Sequence, residues 1–217
     1  MILAICGAGG LGREVLELAS IINLKQQRWD NIIFIDDVKQ GQMVNGVKVY
    51  TYREAKNNFG QDLELTVGVG EPIKRERIFT EIMEDQIPIA TLIHPDVRIP
   101  NTAFVGRGVT IQMGNFISCN VSIGDYVYIQ PHANIGHDCI LKKGCIISAF
   151  CNIAGGVSIG EFSYLGSSSV IKEKVSIGNY SIISMASAVY RDIGNEIIAV
   201  GNPARPMKRN EDKKVFR

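Results

Sequence analysis

The sequence predicts a small α/β domain followed by a solenoid of short parallel β-strands. Three observations predict it. Seventeen branched aliphatic residues stand six apart, without a break, from Ile93 to Val189. Gly7, Gly9 and Gly12 form a Gly-x-Gly-x-x-Gly pattern between an apolar run and a helix-like stretch. A second apolar run, residues 32–35, ends on the acids Asp36 and Asp37.

The elements follow in chain order. Ile2–Cys6 reads as a buried strand, residues 7–12 as a glycine turn, and residues 13–22 as a helix. Residues 32–35 give a second strand. A third spans 63–69, a helix 73–84 and a short strand 89–92. Strands alternating with helices predict a parallel, Rossmann-like sheet over residues 1–92. That length is about half of a full dinucleotide domain, so one pyrophosphate and one nucleoside are the expected load. The crevice lies at the carboxyl ends of the strands, at residues 7–12, 36–37 and 68–70. Glycines there let backbone amides and a helix N-terminus approach a phosphate. Asp36 stands 24 residues after Gly12, near the spacing of a ribose-binding carboxylate. The alternative is that these glycines only shape tight turns.

Residues 93–193 follow a different rule. Six is not a helical period, but it is even, so every sixth residue of an extended chain falls on one face. The position four after each aliphatic shares that parity and is nearly always small or β-branched, as at Val109, Ala133, Cys139 and Ser163. Each hexapeptide thus offers one large and one small inward side chain, and the units stack on one another. The residue after the large one is often glycine (Gly106, Gly124, Gly136, Gly160, Gly166, Gly178), expected to turn the corner.

Composition narrows the function. A net charge of +1 excludes a strong pull toward nucleic acid or membrane. No basic segment precedes the first apolar run and Gly7 interrupts it, so neither a signal peptide nor a membrane span is expected, and the cytoplasm is the expected compartment. The count of five cysteines is odd. Cys139, Cys145 and Cys151 all hold the small inward position, where free Cys packs as a small hydrophobe. Sixfold spacing is also not that of a zinc site, so no metal is expected.

The hexapeptide pattern resembles the hexapeptide-repeat acyltransferases, which form left-handed parallel β-helices with three hexapeptides per coil. A narrower resemblance rests on Gly-Ala-Gly-Gly-Leu-Gly at 7–12, Phe-Ile-Asp-Asp at 34–37, Ile-His-Pro at 93–95 and Gly-His-Asp-Cys at 136–139. These stretches resemble the bacterial N-acetyltransferases of nucleotide-linked amino sugars and the related sialic acid O-acetyltransferases. The resemblance implies a homotrimer with acetyl-CoA between neighbouring solenoids.

His137 follows inward Ile135 by two and so belongs to a corner. An imidazole, with an ordinary pKa of about 6.5, suits a base that takes a proton as an amine attacks a thioester. By resemblance Asp138 sets its tautomer, and Gly155 supplies an amide to the oxyanion. The terminal Gly201-Asn202-Pro203-Ala204-Arg205 resembles the motif that lies against coenzyme A. It is expected to leave backbone amides free for the pantetheine, within a coenzyme-contacting tail over 194–217. Ser167 and Met185 are expected further along that groove. Gly9, Gly10, Leu11, Asp36, Asp37, Gly70 and Gln130 are the substrate-binding candidates. The chain departs from its relatives at Ile146, where a second His is common, at Gln130, where Asn is common, and at Leu11, where His is frequent. His132 reads as a solvated corner residue and His94 as a local junction residue.

The expected activity is acetyl transfer from acetyl-CoA to a nucleotide-diphosphate-linked amino sugar, a 4-amino-4,6-dideoxy sugar by resemblance, for surface-glycan synthesis. O-acetylation of a sialic acid or related sugar is the first alternative. A non-enzymatic or NAD-binding solenoid is the second.

Overall fold

In the computed structural model, which describes residues 1–216, the first apolar run becomes the central strand of a sheet. β1 (Ile2–Cys6) pairs in parallel with β2 (Asn31–Ile35) on one side and with Leu63–Val67 on the other. Leu3, Ala4 and Ile5 are fully buried, as expected for a strand covered on both faces. The helix α1 runs Gly10–Gln26, longer at both ends than the periodicity indicates. It stops at Gln27, which adopts the left-handed conformation and donates its amide to Asn23 O.

Residues 38–62 contain structure that periodicity alone does not reveal. β3 (Met43–Val44) and β4 (Val47–Tyr50) form an antiparallel hairpin around Asn45-Gly46. Both turn residues take positive φ, as such a turn requires. The helix α2 (Tyr52–Phe59) starts with a reciprocal capping box between Thr51 and Glu54. β5 (Leu63–Val67) ends two residues earlier than expected, and α3 runs Pro72–Glu84. The expected strand at 89–92 is instead a single parallel bridge from Ile89 to Leu65, and the strand proper is Leu92–Ile93. The sheet order is β3-β4-β2-β1-β5. The chain divides into two compact units: residues 1–70 with 74–92, and residues 71–73 with 93 onward.

The second unit is the left-handed parallel β-helix. Its two-residue strands recur every six residues and stack into three faces. The first face holds the strands from Phe104–Val105 to Ser176–Ile177. The second runs from Leu92–Ile93 to the tail strands Ile197–Val200 and Arg205–Arg209, and the third from Phe116–Ile117 to Ala188–Val189. Pairs such as Asn134 with Asn152 fix the coil at 18 residues. From Ile111 to Val189 every aliphatic of the sixfold series is at most 3% exposed. Each contributes about 1.5–3 kcal/mol by leaving water. Ile93, Ile99 and Val105 at the N-terminal end are only partly buried. Where the small inward residue is polar, it ties coils together: Ser163 Oγ donates to Gly178 O at 2.6 Å and accepts from Ser181 N.

The corners correct one expectation. The six glycines that follow inward aliphatics do not have positive φ. They are small because the next coil passes over them: a Cβ on Gly136 would lie 2.7 Å from Ala154 C and Gly155 N. The left-handed residue is two places later, and it is often not glycine: Asn120, Tyr126, His132, Asp138 and Phe150 all have φ between 58° and 63°.

Candidate active site

The corner between the third and first faces gathers the groups suited to acyl transfer. Its second residues stack one per coil as Cys119, His137, Gly155 and Glu173, and its third as Thr102, Asn120, Asp138, Gly156 and Lys174. The His137 side chain is 64% exposed and the Asp138 side chain 57%. His137 Nδ1 lies 2.7 Å from Asp138 Oδ2. The other carboxylate oxygen accepts from Asn120 Nδ2 at 3.0 Å. Bonds to His137 and then Asn120 hold the Asp138 carboxyl below its ordinary range. An ionised Asp138 only accepts, so Nδ1 is the donor in this contact.

Gly155 is what makes room for that ring. A Cβ there would fall 2.4 Å from His137 Nε2 and 2.5 Å from Cε1. The chain is pinned on either side: Gly156 donates to His137 O at 2.8 Å, and Lys174 donates to Gly155 O. The Gly155 amide itself makes no hydrogen bond among the described residues. Cys139, beneath the corner, points inward; its Sγ donates to Ala154 O, and burial raises its thiol pKa. Cys145 and Cys151 are buried likewise. Among the described residues, no three His, Cys, Asp or Glu side chains converge to hold a metal ion.

The other histidines stand apart. His94 is buried, and its Nδ1 accepts from Asp96 N, so it shapes a turn. His132 lies on the corner between the second and third faces, stacked on Phe150 at 5.2 Å. Gln130, Ser167 and Met185 occupy that same corner, so one chain does not bring them to His137. Gln130 Oε1 accepts from Ala149 N, which commits half of its carboxamide to the coil. Ile146 is 1% exposed on the second face and offers no polar group.

The terminal loop corrects a second expectation. Gly201 N donates to Ser187 Oγ and Ala204 N to Ala188 O, so these amides serve the fold and are not free. Arg205 begins the exposed strand Arg205–Arg209, which returns antiparallel to Ile197–Val200. The last residue of the basic tail, Arg217, lies outside the described residues.

In the first unit the three expected loops meet at the carboxyl ends of β2, β1 and β5. A Cβ on Gly12 would lie 1.9 Å from Gly7 O, and one on Gly68 2.6 Å from Gly12 Cα. Those glycines press helix against strand. Gly9 and Gly10 face open space instead. They begin α1, whose N-terminus has no side-chain cap, and its first amides have no intrahelical acceptors. Asp36 differs from a free ribose ligand: its oxygens accept from Ala8 N, Val38 N and Lys39 N. Asp37 is the exposed acid. Lys39, which the motif does not reveal, donates from Nζ to Ala8 O at 2.8 Å. The buried Arg75 donates to Val67 O and Val69 O and so fixes the loop that carries Gly70.

Residues 2–82 match the family model described as the PglD N-terminal domain, and residues 120–155 match six repeats of the bacterial transferase hexapeptide. The first match covers most of the αβ unit and the second lies within the β-helix, and the relatives matched over nearly their whole length are acetyltransferases. The chain is homologous to sugar-nucleotide N-acetyltransferases over nearly its whole length. GDP-perosamine N-acetyltransferase of Escherichia coli O157:H7 is 28% identical over 213 residues, 95% of this chain and 96% of that protein. PerB from Caulobacter crescentus, solved in complex with CoA and GDP-perosamine, superposes with a TM-score of 0.87 at 27% identity, over 96% of this chain and 98% of that one. The acetyltransferase domain of PglB from Neisseria gonorrhoeae, in complex with acetyl coenzyme A, gives 0.88 at 28% identity, over 95% and 98%.

Proposed function

We propose that this chain transfers the acetyl group of acetyl-CoA to the amine of a nucleotide-diphosphate-linked amino sugar, with His137 as general base. The observation that carries the reading is the His137 ring, exposed, anchored to Asp138 through Nδ1 and laid over Gly155. An amino sugar is largely ammonium near neutral pH, and only the free amine attacks a thioester. As nitrogen bonds to the acetyl carbon, Nε2 takes the amine proton. The carbonyl oxygen becomes an oxyanion, which the Gly155 N–H receives in this reading. Collapse expels the coenzyme A thiolate, and the imidazolium returns the proton to sulfur. Asp138 stabilises the imidazolium between those steps. No acyl-enzyme is needed, which agrees with three inward cysteines.

The αβ unit takes the nucleotide in this reading. The α1 N-terminus at Gly9, Gly10 and Leu11 receives the diphosphate, and Asp37 with Gly70 borders the nucleoside. Ser167, Met185 and Arg205 contribute to the coenzyme groove. Gln130, Ser167 and Met185 stand on a different corner from His137, which supports a homotrimer in which a neighbouring chain completes each site. No helix among the described residues is long and apolar enough to cross a membrane. All five cysteines are free thiols, which supports a reducing, cytoplasmic setting. The test is acetyl-CoA turnover on a panel of nucleotide-diphosphate amino and hydroxy sugars. Amino sugars should be acetylated; turnover confined to hydroxy sugars would overturn the assignment.

A further inference from the structure

Three consecutive coils place Thr102, Asn120 and Asp138 in one column of the active corner. Asn120 N donates to Thr102 Oγ1 at 3.1 Å, and Asn120 Nδ2 donates to Asp138 Oδ1 at 3.0 Å. Asp138 Oδ2 meets His137 Nδ1 at 2.7 Å. The carboxylate therefore has one oxygen for the base and one for the asparagine. Asn120 and Asp138 share the left-handed conformation, with φ of 58° each, so their side chains leave the corner in the same sense. Asparagine suits this position twice over, since it tolerates positive φ and carries an amide donor.

We infer that Asn120 is a positioning residue for catalysis: it fixes the rotation of the Asp138 carboxylate and, through it, the tautomer and tilt of His137. The inference rests on His137 acting as the base. Asp138 is exposed, and among the described residues its carboxylate oxygens meet only His137 and Asn120; the two-fold χ2 torsion of an aspartate is soft. A hydrogen bond to Oδ1 removes that freedom. An acid at position 120 would face Asp138 with like charge, and a glycine would keep the backbone but lose the donor. A polar ladder of this kind also stands away from the site, where Asn134 donates to Asn152. The ladder alone is therefore not sufficient, and the contact with Asp138 is what distinguishes Asn120.

The test is a double-mutant cycle on the full-length enzyme. Asn120→Gly should lower kcat about 10- to 150-fold, the usual scale for a hydrogen bond to a charged group. KM for both substrates should stay within about two-fold, since uniform binding is untouched. Asn120→Asp should lower kcat as well. In an Asp138→Ala background, Asn120→Gly should have no further effect, because its route to His137 is already gone. A full additional loss in that background would overturn the inference, as would an Asn120→Gly enzyme with wild-type kcat. The ¹⁵N spectrum of His137 gives a second readout: wild type should show the Nδ1–H tautomer, and Asn120→Gly a mixture. An unchanged tautomer would also overturn it. Failure of the underlying reading looks different, since His137→Ala would then keep its activity whatever residue 120 is.

Discussion

Gly155→Ala isolates the base from the fold. Gly155 does not have positive φ, so its backbone accepts alanine without strain. The new methyl would sit 2.4 Å from His137 Nε2, 2.5 Å from Cε1 and 2.9 Å from Cδ2. Ordinary carbon contacts are about 3.5 Å, so the ring must move by roughly 1 Å. A displacement of that size at a reacting group costs on the order of 10²-fold in rate. Gly156→Ala is the matched control. Its φ of 70° makes alanine strained, but its nearest neighbour is Lys174 Cγ at 3.4 Å, away from the ring. That strain costs about 1–2 kcal/mol, and each kcal/mol lowers Tm by roughly 2–4 °C for a protein of this size. The assay is release of free coenzyme A thiol under saturating substrates, with thermal unfolding in parallel. Gly155→Ala should lose about 10² in kcat with Tm nearly unchanged, and Gly156→Ala should lose Tm while keeping most of its kcat. Wild-type kcat in Gly155→Ala, or equal losses in both variants, would show that Gly155 does not set the position of a catalytic ring.

The cysteines and Asp138 give two more expectations. Burial raises the Cys139 and Cys151 thiols and pushes Cys6 up to about 12, while Cys119 alone is exposed. A thiol reagent should therefore modify one cysteine per native chain quickly and all five after unfolding; rapid native labelling of several would contradict the inward assignment. The Asp138 carboxyl is depressed by His137 first and Asn120 second. A depressed carboxyl contributes stability above its unfolded pKa of about 3.9, and that contribution fades as pH falls through the lower folded value. Any stability gap between wild type and Asp138→Asn should thus close as pH falls through the carboxyl's range. A gap that persists unchanged into stronger acid in denaturation curves would be the wrong result.

Much of the solenoid was legible because its signal is one repeated inward position. From Ile111 to Val189 the sixfold series and the burial agree residue by residue, and Cys139, Cys145 and Cys151 fall inside as the parity requires. The contact between His137 and Asp138 was legible in their adjacency, but that of Asn120 with Asp138 was not, because its partner is one whole coil away. An 18-residue comparison of corner positions would have found it. The corner conformation was misplaced for a physical reason. Stacked coils impose positive φ on Tyr126, Phe150 and Phe162, residues with no local preference for it, while the neighbouring glycines answer to close approach. The Asn45-Gly46 turn and the Thr51–Glu54 capping box carry short-range signals that a search for long periodicity passes over. The roles of Asp36 and of the Gly201 and Ala204 amides were hidden because their partners, Ala8, Ser187 and Ala188, are fixed only by the fold.

The most direct measurement is kcat of His137→Ala with acetyl-CoA and a nucleotide-diphosphate amino sugar that wild type acetylates. General-base catalysis contributes about 10²–10⁴-fold. A fall of that size is expected, with little change in either KM and with Tm preserved, since the ring is exposed. A His137→Ala enzyme that turns over at near the wild-type rate would contradict His137 as the base.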